Sequence, residues 1–224
     1  MCGRFVLATP VEMLAEIFEA ELAASVAAEP LAPSWNVAPT RPVHVVRRGS
    51  AGREIAVARW GLVPSWAPDT RRAANAINAR LETLHEKPTF RHLLASHRCV
   101  VPMTGYYEWS TTGVAKQPWY VHRADGAPIA AAGLWSRWHD GLETCAVITR
   151  EAGPRLAEIH HRMPVVLERG DLAEWLEAPA LPRRACDSAS DTALAMRRVS
   201  TRVNSVRHDD ASLVDAAEPE TLFG

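Results

Sequence analysis

The sequence predicts an α+β domain built on antiparallel, curved sheets. Three observations carry this. Many short β-branched or apolar runs are separated by Pro and Gly; the helical patterns are few and brief; and no period recurs along the chain. With 224 residues the chain is long enough for one domain, 2–224, with a sizeable core.

Taken in order, 11–21 reads as an amphipathic helix with Leu14, Ile17 and Phe18 on one side, started by Thr9-Pro10. Residues 23–33 are Ala-rich, end in prolines and read as a connector. The runs 42–47 and 54–60 flank Gly49-Ser50-Ala51-Gly52, a hairpin signature. Residues 61–72 form a loop, and 87–97 a short helix around Phe90, Leu93 and Leu94. Strands are expected at 99–103, 119–122, 129–134, 145–148 and 165–167, and helical pieces at 155–160 and 171–176. The stretch 181–193 reads as a flexible surface segment, and 199–206 regains strand character.

Apolar content of 47% and charged content of 23% are ordinary for a soluble globular protein. No apolar run reaches the length of a membrane span, and no signal-peptide layout is present. Cys2, Cys99, Cys145 and Cys186 make no C-x-x-C pair, so no metal site or cofactor is expected and a cytoplasmic location is. A net charge of −1 gives no global attraction to nucleic acid, so phosphate binding would need a local arginine patch. Eight tryptophans against three tyrosines and four phenylalanines supply both core volume and candidate stacking surfaces.

The start, Met1-Cys2-Gly3-Arg4-Phe5, carries the sharpest chemical signal. Removal of Met1 leaves Cys2 with a thiol and an α-amine on adjacent carbons. Such an aminothiol condenses with an aldehyde to a Schiff base and closes a thiazolidine ring. Ordinary acidities, ~7.7–8.0 for the amine and ~8.5 for the thiol, leave useful fractions of both deprotonated near neutrality. Glu108, amid Tyr106, Tyr107 and Trp109, is a candidate for proton transfer through desolvation. Asn78 and Arg80 could orient a ligand or cap a helix. Of His160 and His161, one is a proton-transfer or hydrogen-bonding group; neighbours in sequence are expected to point apart and make a poor metal pair.

Together the runs Met1-Cys2-Gly3-Arg4-Phe5, Trp35-Asn36-Val37-Ala38-Pro39-Thr40, Trp60-Gly61-Leu62-Val63-Pro64-Ser65-Trp66, Asn78-Ala79-Arg80, Gly105-Tyr106-Tyr107-Glu108-Trp109 and His160-x-Arg162-Met163-Pro164 carry a resemblance, extended by Val203-Asn204. In this order they resemble the SOS response-associated peptidase (SRAP) family, the abasic-site processing proteins, over residues 2 to about 215. The resemblance implies a barrel-like core of curved sheets flanked by short helices, with a groove for single-stranded DNA. It implies a crosslink between Cys2 and the ring-opened aldehyde of an abasic site, with Schiff-base lyase and self-processing ability. Asn78 would orient the sugar, Glu108 would act as general acid/base, and His160 would assist the Schiff base. Arg4, Arg80 and Arg162 would bind phosphates, Trp66 and Trp109 would stack or wedge, and Asn36, Pro39 and Thr149 would line the groove. The expected partner is single-stranded DNA containing abasic sites, bound by a monomer in the cytoplasm at the nucleoid, with no membrane and no metal. Two other readings remain open from the residues: an N-terminal-cysteine peptidase acting on proteins, and a non-covalent binder of single-stranded DNA.

Overall fold

The computed structural model describes residues 2–71, 76–110, 116–187 and 191–217. The first half contains β1 (Arg4–Leu7), α1 (Val11–Phe18), β2 (Ala20–Leu22), α2 (Ala24–Ala28), β3 (Ser34–Val37), β4 (Pro42–Arg48), β5 (Arg53–Trp60), β6 (Asn78–Arg80), α3 (Pro88–Arg91), β7 (Arg98–Met103) and β8 (Gly105–Ser110). The second half adds β9 (Gln117–Arg123), β10 (Ile129–Arg137), β11 (Glu143–Glu151), α4 (Pro154–Ala157), β12 (Arg162–Pro164), β13 (Val166–Leu167), α5 (Leu172–Glu177), α6 (Arg183–Asp187) and β14 (Leu194–Arg198).

The strands form two sheets. One runs β14-β9-β8-β1-β3; the other runs β12-β11-β10-β7-β4-β5-β2, with β13 on β10 and β6 on β11. A short parallel pairing of β5 with β11, Arg59 to Thr144 and Trp60 to Cys145, closes the second sheet into a ring. Closure buries both faces, which is why β10 reads Ile129-Ala130-Ala131-Ala132-Gly133-Leu134 with no polar alternation. Val43, Val45, Ala58, Val101 and Val147 pack toward Phe5, Tyr106 and Val121 of the other sheet. Val46, Ile55, Val100 and Ile148 pack instead against Leu14 and Phe18 of α1 and Trp175 of α5.

Two tryptophans tie these layers together. Trp175 is fully buried and donates Nε1–H to the Cys99 carbonyl at 2.8 Å. Burying an indole of this size removes about 150–250 Å² from water, an upper bound of ~4–6 kcal/mol before entropy is counted. Trp60 meets Phe5 edge-on at 4.9 Å and donates to the Ile77 carbonyl at 2.9 Å. It thereby fixes the start of β1 and the residue before β6 with one side chain.

Several elements differ from the sequence expectation. α1 ends at Phe18 because Glu19 adopts a left-handed conformation (φ 52°), and the chain then enters β2 instead of continuing the helix to 21. The connector 23–33 contains α2, and the helix expected over 87–97 is confined to Pro88–Arg91. Within 181–193, α6 buries Ala185 and Cys186, and buried Asp191 accepts from the Arg155 backbone N–H at 2.9 Å, so the described part is docked; 188–190 lie outside the described residues. Residues 199–206 form no strand. Val199 makes a single bridge to Ala216, and Thr201–Asn204 is a 3-10 turn.

Candidate active site at the amino terminus

β1 is an interior strand of its sheet, paired with β3 on one side and β8 on the other. Its register sets Arg4 opposite Tyr107 and Phe5 opposite Tyr106. Carried one residue further toward the start, that register places Gly3 opposite Glu108, beside Cys2. Successive side chains of a strand alternate, so Tyr106 and Glu108 share one face of β8 while Tyr107 and Trp109 share the other. Cys2 precedes β1 and so escapes that alternation, which would set it with Arg4; it packs instead on the Tyr106 face, in one apolar cluster with Phe5 and Tyr106. Both the Glu108 charge and the Cys2 thiol push the Tyr106 hydroxyl above its ordinary range, after burial.

Cys2 is 1% exposed and Glu108 5%. Burial, then the Glu108 charge, pushes the Cys2 thiol up, so it is held as the neutral S–H. Burial also raises the Glu108 carboxyl, opposed by the positive charge of the chain's amino terminus and by His161. A carboxyl poised this way can both take and return a proton. Asn78 opens β6, whose parallel pairing with β11 sets it beside Val147. Its Nδ2 donates to the Cys2 carbonyl at 2.8 Å, and its Oδ1 is buried with no hydrogen-bond partner among the described residues. An unfilled acceptor next to Cys2 suits a ligand hydroxyl or protonated nitrogen.

His160 lies in the turn between α4 and β12. The Arg162 backbone N–H donates to its Nδ1 at 3.0 Å, so that nitrogen is the acceptor and the neutral ring carries its proton on Nε2. Burial first, then the amino-terminal charge, lowers its pKa, which preserves this neutral form. Contrary to the expectation that neighbouring histidines diverge, His160 and His161 stack at 4.4 Å with 27° between planes. The bend between helix and strand, not a regular element, allows it.

The remaining predicted residues fall into three groups. Arg4 donates to Asn36 Oδ1 at 2.7 Å, while Asn36 Nδ2 donates to the carbonyls of Ser205 and His208 at 3.1 and 2.7 Å. Asn36 is buried, and Pro39 follows in the loop after β3. Thr149 is fully buried; Arg162 donates to its carbonyl at 2.7 Å and grips both Glu82 oxygens at 2.7 and 2.9 Å, whereas Arg80 is exposed at the end of β6. Trp109 donates to Asn204 Oδ1 at 2.8 Å. Trp66, 63% exposed, edges a cavity of 680 Å³ with Leu62, Val63, Arg71 and Ala76. Glu82 is a residue to which the sequence assigned no role. It stands two positions past Asn78-Ala79-Arg80, and its partner lies 80 residues away. No group of three or more His, Cys, Asp or Glu suited to a metal occurs among the described residues, and no helix there is long and apolar enough to cross a membrane.

Comparison with known proteins adds an independent line. A family model described as SOS response associated peptidase (SRAP) matches residues 1–206. The abasic site processing protein YoaM of Bacillus subtilis (strain 168) is 34% identical over 231 residues, covering 96% of this chain and 98% of that protein. The abasic site processing protein YoqW of the same organism is 32% identical over 225 residues, covering 96% and 100%. A crystal structure of a protein from Bacteroides thetaiotaomicron superposes with a TM-score of 0.83 at 25% identity, covering 96% of this chain and all of that one.

Proposed function

The chain belongs to the SOS response-associated peptidase (SRAP) family, and on that premise we propose that it captures abasic sites in single-stranded DNA as a covalent adduct at Cys2. Its relatives are named abasic site processing proteins, which supports abasic-site processing as the general activity. The observation that carries the finer reading is the group around Cys2: a buried thiol, a neighbouring Glu108 of raised pKa, and Asn78 tied to the Cys2 carbonyl.

The chemistry proceeds in two steps once Met1 is removed, by an aminopeptidase or by self-processing. The neutral α-amine of Cys2 adds to the C1′ aldehyde of the ring-opened sugar; the carbinolamine hydroxyl takes up a proton from solvent and leaves as water, which gives a protonated Schiff base. The Cys2 sulfur then adds to the same carbon; its proton passes to Glu108 and the nitrogen keeps its own, closing the five-membered thiazolidine. Holding thiol, amine and carboxylate together makes ring closure effectively intramolecular. Asn78 Oδ1 accepts from a sugar hydroxyl, and His160 Nε2–H donates toward the sugar or Schiff base. The same Schiff base acidifies C2′, so β-elimination of the 3′ phosphate is the associated lyase reaction. An abasic site presents no base to read, so backbone charge at Arg80 and stacking at Trp66 position the strand, and the aldehyde supplies the selectivity.

Intact mass spectrometry tests this. Protein lacking Met1, incubated with an oligonucleotide carrying one abasic site, is expected to gain the oligonucleotide mass less one water and to survive denaturation. Cys2→Ala should give no stable adduct. A denaturation-stable adduct in Cys2→Ala, or none in the natural chain lacking Met1, overturns the assignment.

A further inference from the structure

Arg162 already holds an anion. Its Nη1 and Nη2 donate to the two oxygens of Glu82, and Nη2 also donates to the Thr149 carbonyl. Two parallel N–H donors on two oxygens of one acceptor is the geometry by which a guanidinium grips a phosphate. The Arg162 side chain is 10% exposed and that of Glu82 49%, so a strand arriving from solvent meets the carboxylate first.

The topology explains the meeting. Glu82 comes from the 3-10 turn Leu81–Thr83 that follows β6, and Arg162 from β12. β11 lies between them: Thr149 is paired with Arg80 on one side and with Pro164 on the other. The ion pair therefore spans β11 beside the exposed Arg80. With Glu82 in place, Arg80, Arg162 and Glu82 leave one net positive charge; with Glu82 displaced, two face the strand.

We propose that Glu82 is an internal phosphate surrogate, occupying Arg162 in the free protein and exchanged for a backbone phosphate when single-stranded DNA enters. The inference rests on the DNA-binding reading above and adds to it a residue that limits binding. Exchanging one anion for another returns little energy, so Arg162 contributes orientation more than affinity. Undamaged strands are then released readily, and retention falls to the bond formed at Cys2.

Glu82→Gln preserves the shape and still accepts one hydrogen bond from Arg162, but it removes the competing charge. Binding of an undamaged single-stranded oligonucleotide is measured by fluorescence anisotropy across a salt series. The natural protein, Glu82→Gln, Arg162→Gln and the double variant are compared. Glu82→Gln is expected to bind about one-and-a-half- to fivefold more tightly at low salt, the range set by opening a surface ion pair. Its log K against log salt slope should steepen by up to about 0.7, because in the natural protein the displaced Glu82 carboxylate takes up a counterion on binding and the glutamine does not. The gain should vanish in the double variant. Glu82→Asp, which keeps the charge, should retain the natural slope, and it serves as the control should Glu82→Gln fold poorly. Affinity and slope unchanged or reduced in Glu82→Gln overturn the surrogate while leaving the DNA reading intact. A natural protein that binds no oligonucleotide at any salt overturns the DNA reading itself.

Discussion

Asn36→Ala tests whether this residue serves the fold before it serves any ligand. Its amide donates to the carbonyls of Ser205 and His208 and accepts from Arg4. It thus pins the 203–208 segment to β1 and β3. Truncation removes two well-formed neutral hydrogen bonds, about 1 kcal/mol each, a longer one to the Val203 carbonyl at 3.4 Å, and one to a charged group, about 1.5–3 kcal/mol. Arg4, Ser205 and His208 are partly exposed, so water recovers some of this. The net cost is about 3 kcal/mol. For a chain of this length each kcal/mol lowers Tm by about 2–4 °C, so the midpoint should fall by about 6–12 °C. Thermal unfolding followed by circular dichroism measures it. Asn36→Asp, which keeps the acceptor for Arg4 but sets a carboxylate against two carbonyls, should lose at least as much. A variant within about 1 kcal/mol of the natural chain refutes the reasoning and returns Asn36 to a ligand-binding role.

Glu108→Gln is expected to slow single-turnover adduct formation by about 10²–10⁴-fold. In the natural chain the rate should rise as pH climbs through the elevated Glu108 pKa, and the variant should lack that limb. A raised carboxyl favours the folded state while protonated and loses that benefit at higher pH, so Glu108→Gln should be no less stable than the natural chain at pH 8. His44 is buried with neither ring nitrogen hydrogen-bonded among the described residues, and burial lowers its pKa. The unfolded imidazole takes a proton near ~6.5 while the folded one does not, so stability should fall below that pH by up to ~1.4 kcal/mol per unit until the folded pKa is reached. Urea titrations of His44→Leu at pH 7 and pH 5 should show this slope removed; an unchanged slope would assign the acid sensitivity elsewhere. At Gly105 an added Cβ would lie 2.5 Å from the Tyr120 ring, which packs at 5.5 Å on Tyr107 and lies beneath Arg197. Gly105→Ala should therefore cost about 2 kcal/mol and lower Tm by about 4–8 °C; an unshifted melt would mean the ring moves freely.

What the sequence made legible follows from where the information lies. Strands β4, β7, β10 and β11 announce themselves because they are largely buried on both faces and consist mainly of apolar or β-branched runs. β1, β3, β6 and β8 mix polar site residues into short segments, and only their pairing partners make them strands. The end of α1 left no signal because Glu19 is not a residue that favours a left-handed conformation. Cys2, Asn78, Glu108 and His160 each stand in a distinctive local motif, which is what singles them out in the sequence. Side-chain chemistry gives a residue's capacity but not its partner. Arg4 and Asn36 satisfy one another, and Arg162 is occupied by Glu82, through contacts that exist only once β1 meets β3 and β6 meets β11.

The position of β1 also sets a schedule. Its outer neighbour β3 leaves the ribosome soon after it, but β8 emerges about a hundred residues later. At about 5–20 residues per second, roughly 5–20 s separate the birth of Cys2 from the arrival of the strand that encloses it. Through that interval the start of the chain is open to a trimming enzyme; afterwards Cys2 is 1% exposed. On the proposed chemistry, trimming by a separate enzyme is therefore favoured during translation, before β8 has docked. The order of synthesis, as much as the finished architecture, governs when the start of this chain is accessible.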